Sequence, residues 1–229
     1  IFFTCHEFSY NKIAEAYEPY LGLIRQMFHK YCSGTLEEFM EECDVYKLQR
    51  PVFESYFEKG FCERTEQILI DEVEYEQERM HSSIVTMLQK LSEICPIVIV
   101  LNRFQLASKS TMQLTNRLLQ TKNKNIGIVL GVNDVQSIPE FAHEEWDAIC
   151  ESMDDRNMVY HIGNAGRNME PDVMDYYSDY ESDDGYRKLN NLVYFLDFDQ
   201  ADHHLSKIER RIKFDNFTIS EKKHYQLLL

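Results

Sequence analysis

The sequence predicts an α/β protein, a parallel sheet flanked by helices and followed by a C-terminal helical segment. Two observations carry that expectation. The runs "IVIVL" and "NIGIVLGVN" are apolar at successive positions, as strands buried inside a parallel sheet are. The segments between such runs repeat apolar residues every three or four positions, and strands alternating with helices imply parallel pairing through right-handed crossovers.

Taken in order, "IFFTC" is short, β-branched and aromatic and reads as a buried strand. Pro19 suits the first turn of a helix that carries Tyr20, Leu23, Ile24, Met27 and Phe28 on one side and ends near Ser33 and Gly34. Thr35 is the expected cap of "TLEEFMEEC", whose first turn holds acids where the helix dipole favours them. Over residues 65–94, Met80, Ile84, Met87, Leu88 and Leu91 recur at helical spacing, and Pro96 stops that long helix. "IVIVL" then reads as a central strand covered by helices on both faces. Ser108 opens a helix with Met112, Thr115, Leu118 and Leu119 inward. A second buried strand follows over residues 125–133, then a helix over 140–153 and a strand "MVYHIG".

Charge narrows the class of partner. Lys plus Arg number 24 against 39 Asp plus Glu, a net charge of -15, which repels phosphate backbones and anionic lipid. Nucleic acid and membrane surfaces are therefore not expected partners. The six cysteines (Cys5, Cys32, Cys43, Cys62, Cys95 and Cys150) form no C-x-x-C pair, and several lie in apolar runs, which fits reduced thiols in a cytoplasmic protein. No apolar run is long enough for a membrane span, and no charged-then-apolar leader opens the chain. Ile1 stands inside an apolar run, which points to a chain that begins within a larger protein.

Three regions are expected: an α/β domain over 1–168, an acidic linker over 169–185, and helices over 186–229. Residues 170–184 hold seven acids and no base, with Tyr176, Tyr177 and Tyr180 interleaved, a density that resists burial; an acidic docking tail is the sharper alternative. Beyond Gly185, "YRKLNNLVYFL", "DQADHHLSKIERRI" and "FTISEKKHYQLLL" read as two antiparallel helices and the start of a third. Their period of about 33 residues matches tetratricopeptide-type repeats.

The stretch "CPIVIVLNRFQLASKSTMQL" has the layout of a nucleotide-hydrolysing site: buried strand, short loop, helix. In P-loop hydrolases a Gly-rich loop ending in Lys-Ser/Thr holds the phosphates, and an acid at the end of a neighbouring buried strand holds magnesium. "CPIVIVLNRFQLASKSTMQLTNRLL" resembles the second half of the ATPase core in the STAND branch of the AAA superfamily. These are bacterial signalling and regulatory ATPases, often followed by tetratricopeptide repeats and sometimes coupled to nucleotide-cyclase domains. Gln105 and Ala107 match that pattern, Phe104 and Leu106 suit its apolar positions, Asn102 and Arg103 replace its two acids, and Ser108 replaces its later Asp. "FFTCHEFSYNKIAEAYEPYLGLIRQMF" resembles the family's second strand and helix, and "NIGIVLGVN" the strand ending in its sensor residue, here Asn133.

The departures matter chemically. Asn102 offers a neutral carbonyl where a hard cation wants a carboxylate, and Arg103 opposes the metal electrostatically and cannot act as a base. No G-x-x-x-x-G-K-[ST] occurs in the 229 residues; under the resemblance the P-loop lies before Ile1. An alternative register makes "IGIVLGVND" the metal-binding strand and Asp134 its acid.

Other constellations weigh less. His203 and His204 follow three acids, but adjacent residues on a helix diverge, so Asp199 as a cap beside surface histidines is the expected reading. Cys5 and His6 project to opposite faces of a strand, which speaks against a thiol nucleophile with its base. Trp146 is expected to anchor a helix to the sheet.

The resemblance thus implies a regulatory or signalling module of a larger bacterial protein, ATPase-like without hydrolysis, acting through protein–protein or interdomain contacts. An attached output domain such as a diguanylate cyclase is part of that implication. No catalytic residue, metal or cofactor is expected in this segment, while ATP with magnesium is expected of the longer parent chain. Two other readings stand beside it: an active ATPase whose P-loop lies upstream, and a helical-repeat scaffold, which would make the first 163 residues mostly helical.

Overall fold

Both apolar runs form strands, and they pair with each other. The structure is a computed structural model and describes residues 1–9, 12–62, 73–121, 123–133, 138–154 and 183–213. Within them β1 (Phe2–Glu7), β2 (Ile97–Asn102) and β3 (Ile126–Gly131) make a parallel sheet in the order β1-β2-β3. Its register aligns Phe2 with Ile97 and Ile126, and Glu7 with Asn102 and Gly131. "IVIVL" is therefore the central strand, and its carboxyl end lies level with those of both neighbours.

The burial of the strands corrects part of the expectation. Along β2, Ile97, Ile99 and Leu101 are buried, while Val98 and Val100 are only half-buried. Register partners share a face, so Phe3, Val98 and Gly127 point away from the packed side together. Phe3 is 64% exposed and Val129 54% exposed on that outer face. Among the described residues β1 is accordingly an edge strand with one open face rather than a buried one, and helices cover β2 more fully on one face than on the other.

The helices follow from local chemistry. α1 (Tyr20–Tyr31) buries the five residues its spacing singles out, with Leu21 added. Thr35 opens α2 (Leu36–Glu42) with a reciprocal capping box: its Oγ1 accepts from Glu38 N at 3.2 Å, and its N–H donates to Glu38 Oε2 at 2.8 Å. α3 (Arg50–Lys59) was not foreseen, although Pro51 near its start and Gly60 in the left-handed conformation at its end (φ 82°) are ordinary helix boundaries. α4 (Val73–Ile94) buries Met80, Ile84, Met87, Leu88 and Leu91 and stops ahead of Pro96. Ser108 caps α5 (Lys109–Gln120) by accepting from Thr111 N at 3.3 Å. α6 (His143–Asp154) packs on α5, and Trp146 of α6 reaches the ring of Phe104 just beyond β2, with centroids 6.4 Å apart.

The first two C-terminal helices are present as α7 (Asp183–Tyr194) and α8 (Phe198–Lys213). Leu189, Leu192, Phe195, Ala201 and Leu205 join the same apolar cluster as the sheet and α1. Phe195 is the pivot, with ring centroids 5.9 Å from Tyr17, 5.8 Å from Phe53 and 5.6 Å from Tyr56. Asn191 Oδ1 accepts from Cys62 N at 2.8 Å, while Asn190 Nδ2 donates to Cys62 O at 2.8 Å. The cap of α8 is Asp197, not the expected Asp199, and its carboxylate accepts from the Gln200 backbone. His204 is buried against Gln200, whose Nε2 lies 2.9 Å from its Nε2, and His203 is half-buried with its ring 5.4 Å from that of Phe141, so neither is the surface histidine expected. The expected strand "MVYHIG", residues 169–182 of the expected linker and the third C-terminal helix lie outside the described residues.

Candidate functional site at the carboxyl edge of the sheet

In open parallel sheets, ligands bind beyond the carboxyl ends of the strands, where loops and helix starts converge. Here Glu7, Asn102 and Gly131 end the three strands side by side. Asn102 is exposed, and its Nδ2 lies 3.8 Å from Cys5 Sγ across the edge strand. A Cβ at Gly131 would stand 2.9 Å from Asn102 Oδ1, so the glycine leaves room for that carboxamide.

Arg103 turns the chain out of the sheet. Its backbone is left-handed (φ 55°, ψ 43°), a conformation that costs a non-glycine residue about 1 kcal/mol. The turn lets the following residues fold into a short 3-10 helix, Phe104–Leu106, and aims the guanidinium across the edge at Glu7, with Nε 3.4 Å from Oε1. Glu7 is the carboxylate that sequence reasoning missed. The signal was available, since the residue ending β1 must neighbour the residue ending β2 in a parallel register.

Gln105 is completely buried, and its Nε2 donates to Asn133 Oδ1 at 2.7 Å. Two residues singled out from the sequence, one after β2 and one after β3, are thus held together. The other amide atom, Gln105 Oε1, is buried without a hydrogen-bond partner. Asp134, the acid of the alternative register, lies outside the described residues.

Behind the edge, the start of α5 is a dense polar junction. Ser108 Oγ donates to Glu15 O at 2.9 Å, Tyr17 N donates to Ser110 Oγ at 3.3 Å, and Thr111 Oγ1 donates to Glu18 O at 3.1 Å. Ser110 N donates to Asp197 Oδ2 at 3.0 Å, and Lys109 Nζ reaches Asp199 Oδ2 at 2.5 Å. Burial holds the Asp197 carboxyl above its ordinary pKa, against the Ser110 hydrogen bonds that oppose the rise.

Cys5 and His6 separate as their alternation requires. Cys5 faces out, while His6 faces in, with Nε2 3.3 Å from Glu18 Oε1. Burial, assisted by Lys12, lowers the His6 pKa, so the ring tends toward neutrality despite the nearby acid. None of the six cysteines is in a disulfide. Among the described residues no group of three His, Cys, Asp or Glu converges as a metal site, and no helix is long and apolar enough to cross a membrane.

What the edge offers chemically is a neutral carboxamide, a guanidinium matched to a carboxylate, and a fixed amide pair. Comparison with known proteins finds no family, no curated protein and no solved structure that the chain matches.

Proposed function

We propose that this chain is the regulatory part of a larger signalling protein: an ATPase-like α/β unit without hydrolysis that acts through interdomain or protein contacts. The observation that carries the reading is the end of the central strand. Asn102 stands there in place of a carboxylate, and the next residue, Arg103, sets its positive charge against Glu7. A magnesium ion placed beside Asn102 would meet a neutral oxygen and a neighbouring cation, with the adjacent Glu7 carboxylate already paired to that cation, and Arg103 offers water no base. Further support comes from the strand order, with "IVIVL" central, and from Gln105 clamping Asn133. A parallel sheet in the first 163 residues also sits poorly with a plain helical-repeat scaffold.

Interdomain action is supported by the junction at α5. The helix that begins six residues after Arg103 is bonded at its first turn to α8 through Asp197 and Asp199. A change at the strand edge therefore has a short covalent and hydrogen-bonded route to the C-terminal helices. Control of an attached output domain, a diguanylate cyclase for example, is the role the resemblance implies for that route.

The test is thermal unfolding with and without magnesium-ATP, on this chain and on a native chain extended upstream, together with a turnover assay. A ligand that binds only the folded state raises the midpoint. The reading expects no turnover from either protein, with any midpoint shift confined to the longer one. Steady hydrolysis abolished by Asp134→Ala would overturn it in favour of an active ATPase.

A further inference from the structure

Where the end of α3 meets α7, a pocket of about 180 Å³ opens between Lys59 and Phe61 on one side and Arg187, Lys188 and Asn191 on the other, with Glu15 beside them. It shares no residue with the strand ends of the candidate site. Three cations and one acid give the lining a charge of +2, in a chain whose net charge is -15. A basic hollow on an acidic molecule gathers the anions that the rest of the surface repels.

Two contacts between α7 and the loop after α3 fix donors at this pocket. The Arg187 guanidinium lies over the Phe61 ring, 4.7 Å from its centroid, and is paired with no acid among the described residues. Asn191 Oδ1 accepts from Cys62 N at 2.8 Å, which holds the carboxamide in place and leaves Nδ2 as its donor. Asn191 is 3% exposed, and Nδ2 has no hydrogen-bond partner among the described residues. Nδ2 is not one of the polar atoms sealed from solvent, so it is met from the pocket that Asn191 lines. Water or an entering anion supplies the acceptor there.

The carbonyl end of α3, which would repel an anion, is covered. Arg25 Nε donates to Phe57 O at 2.6 Å, and its Nη2 donates to Glu58 O at 3.2 Å. On α7, Arg187 and Asn191 stand four residues apart and share a face of the helix, with Lys188 next to them. Volume and charge then select the ligand. The pocket is smaller than sites for drug-sized molecules, so it takes a compact group and not a nucleoside. A phosphomonoester carries a charge of about -1.5 to -2 near pH 7, which matches the lining, whereas a carboxylate carries half of that. Its three oxygens accept from separate donors, and a guanidinium fork fits two of them at once.

We propose that the pocket between the end of α3 and α7 binds the phosphoryl group of a small phosphorylated molecule. Arg187 and Asn191 Nδ2 donate to its oxygens, Lys59 and Lys188 supply charge, and Glu15 limits the excess to that of one dianion. A bound phosphoryl group would tie α7 to the loop after α3.

Inorganic phosphate and glycerol 3-phosphate are the probes, with acetate and chloride as controls at equal ionic strength. Calorimetric titration is read on the full 229-residue chain. The expected result is saturable binding of a phosphate probe and not of the controls, weakened about tenfold or more by Arg187→Gln. Asn191→Asp keeps an acceptor for Cys62 N but sets a carboxylate oxygen where the donor was, and should abolish binding. Lys47→Gln removes an exposed positive charge outside the pocket and should change nothing. Tighter binding of glycerol 3-phosphate assigns the site to an ester, and tighter binding of phosphate to the free ion. Circular dichroism and unliganded midpoints establish folding; Arg187 is exposed, so its variant decides the matter even where Asn191→Asp does not fold.

Absence of saturable phosphate binding would overturn the proposal. Binding that Arg187→Gln leaves unchanged would place the anion elsewhere and defeat it equally. Acetate bound as tightly as phosphate would remove the phosphoryl assignment, and an equal loss in Lys47→Gln would reduce the effect to general charge. None of these failures touches the reading of the sheet edge, because no variant alters a residue there.

Discussion

Asp197 Oδ2 accepts a hydrogen bond from the backbone N–H of Ser110 at 3.0 Å, which fastens the start of α8 to the start of α5. The same carboxylate caps α8 through the Gln200 backbone. Removing it leaves two backbone donors unmet in a buried place. Asp197→Ala should lower stability by about 2–3 kcal/mol, whereas Asp197→Asn, which keeps an acceptor oxygen, should cost less than about half of that. Urea unfolding of the two variants checks the difference, and equal losses would show that charge rather than hydrogen bonding matters there.

Phe195 is fully buried where the rings of Tyr17, Phe53 and Tyr56 meet. Phe195→Ala should cost about 3–5 kcal/mol, because the cavity it leaves lies between elements that cannot close onto it. The loss should appear in a single unfolding transition. Two separated transitions would instead mean that α7 and α8 unfold independently of the sheet.

Gln105 joins the loop after β2 to Asn133, the second residue beyond β3, at 2.7 Å. Gln105→Ala should destabilise by about 1–3 kcal/mol through lost packing and a lost hydrogen bond. Amide hydrogen exchange should quicken most around residues 131–133. Uniform change across the chain would remove the specific link.

His81 yields a pH prediction. Its pKa is about 4 in the folded chain, lowered chiefly by burial, against 6.5 in the unfolded chain. Between those values the unfolded state binds more protons, so stability is full above about pH 6.5 and falls as pH drops toward 4. Moving from neutral pH to about pH 5 should remove about 1–2 kcal/mol through this residue. Unfolding at both pH values checks it: His81→Phe should lose less stability than the parent over the same interval, and an identical loss would assign the acid sensitivity to other groups.

Much of the fold was legible because its signals are local. The periodicity of Met80, Ile84, Met87, Leu88 and Leu91 sufficed for α4, and Thr35 with Glu38 sufficed for the start of α2. α3 escaped notice because Val52, Phe53 and Phe57 give a helix of only ten residues little repeating pattern. The openness of one sheet face was hidden for a different reason. Val98 and Val100 are as apolar as Ile97 and Ile99, and composition does not reveal how well each face is covered. At the candidate site, Asn102 and Arg103 were conspicuous in sequence. Glu7 was not, since its importance arises only from pairing strands that lie far apart in the chain.

The parallel register has a consequence for the order of folding. Joining β2 to β3 brings together residues about 30 positions apart, whereas joining β1 to β2 closes about 95, an extra loop entropy of about 1 kcal/mol. The β2–α5–β3 unit can therefore assemble first, with β1 added late as an edge strand. Phe2→Ala, on the packed side of β1, should then speed unfolding far more than it slows refolding, while Ile99→Ala in β2 should slow refolding markedly. Each chain would spend the interval before β1 docks with one side of its central strand unpaired, so recovery of native protein should fall as refolding concentration rises.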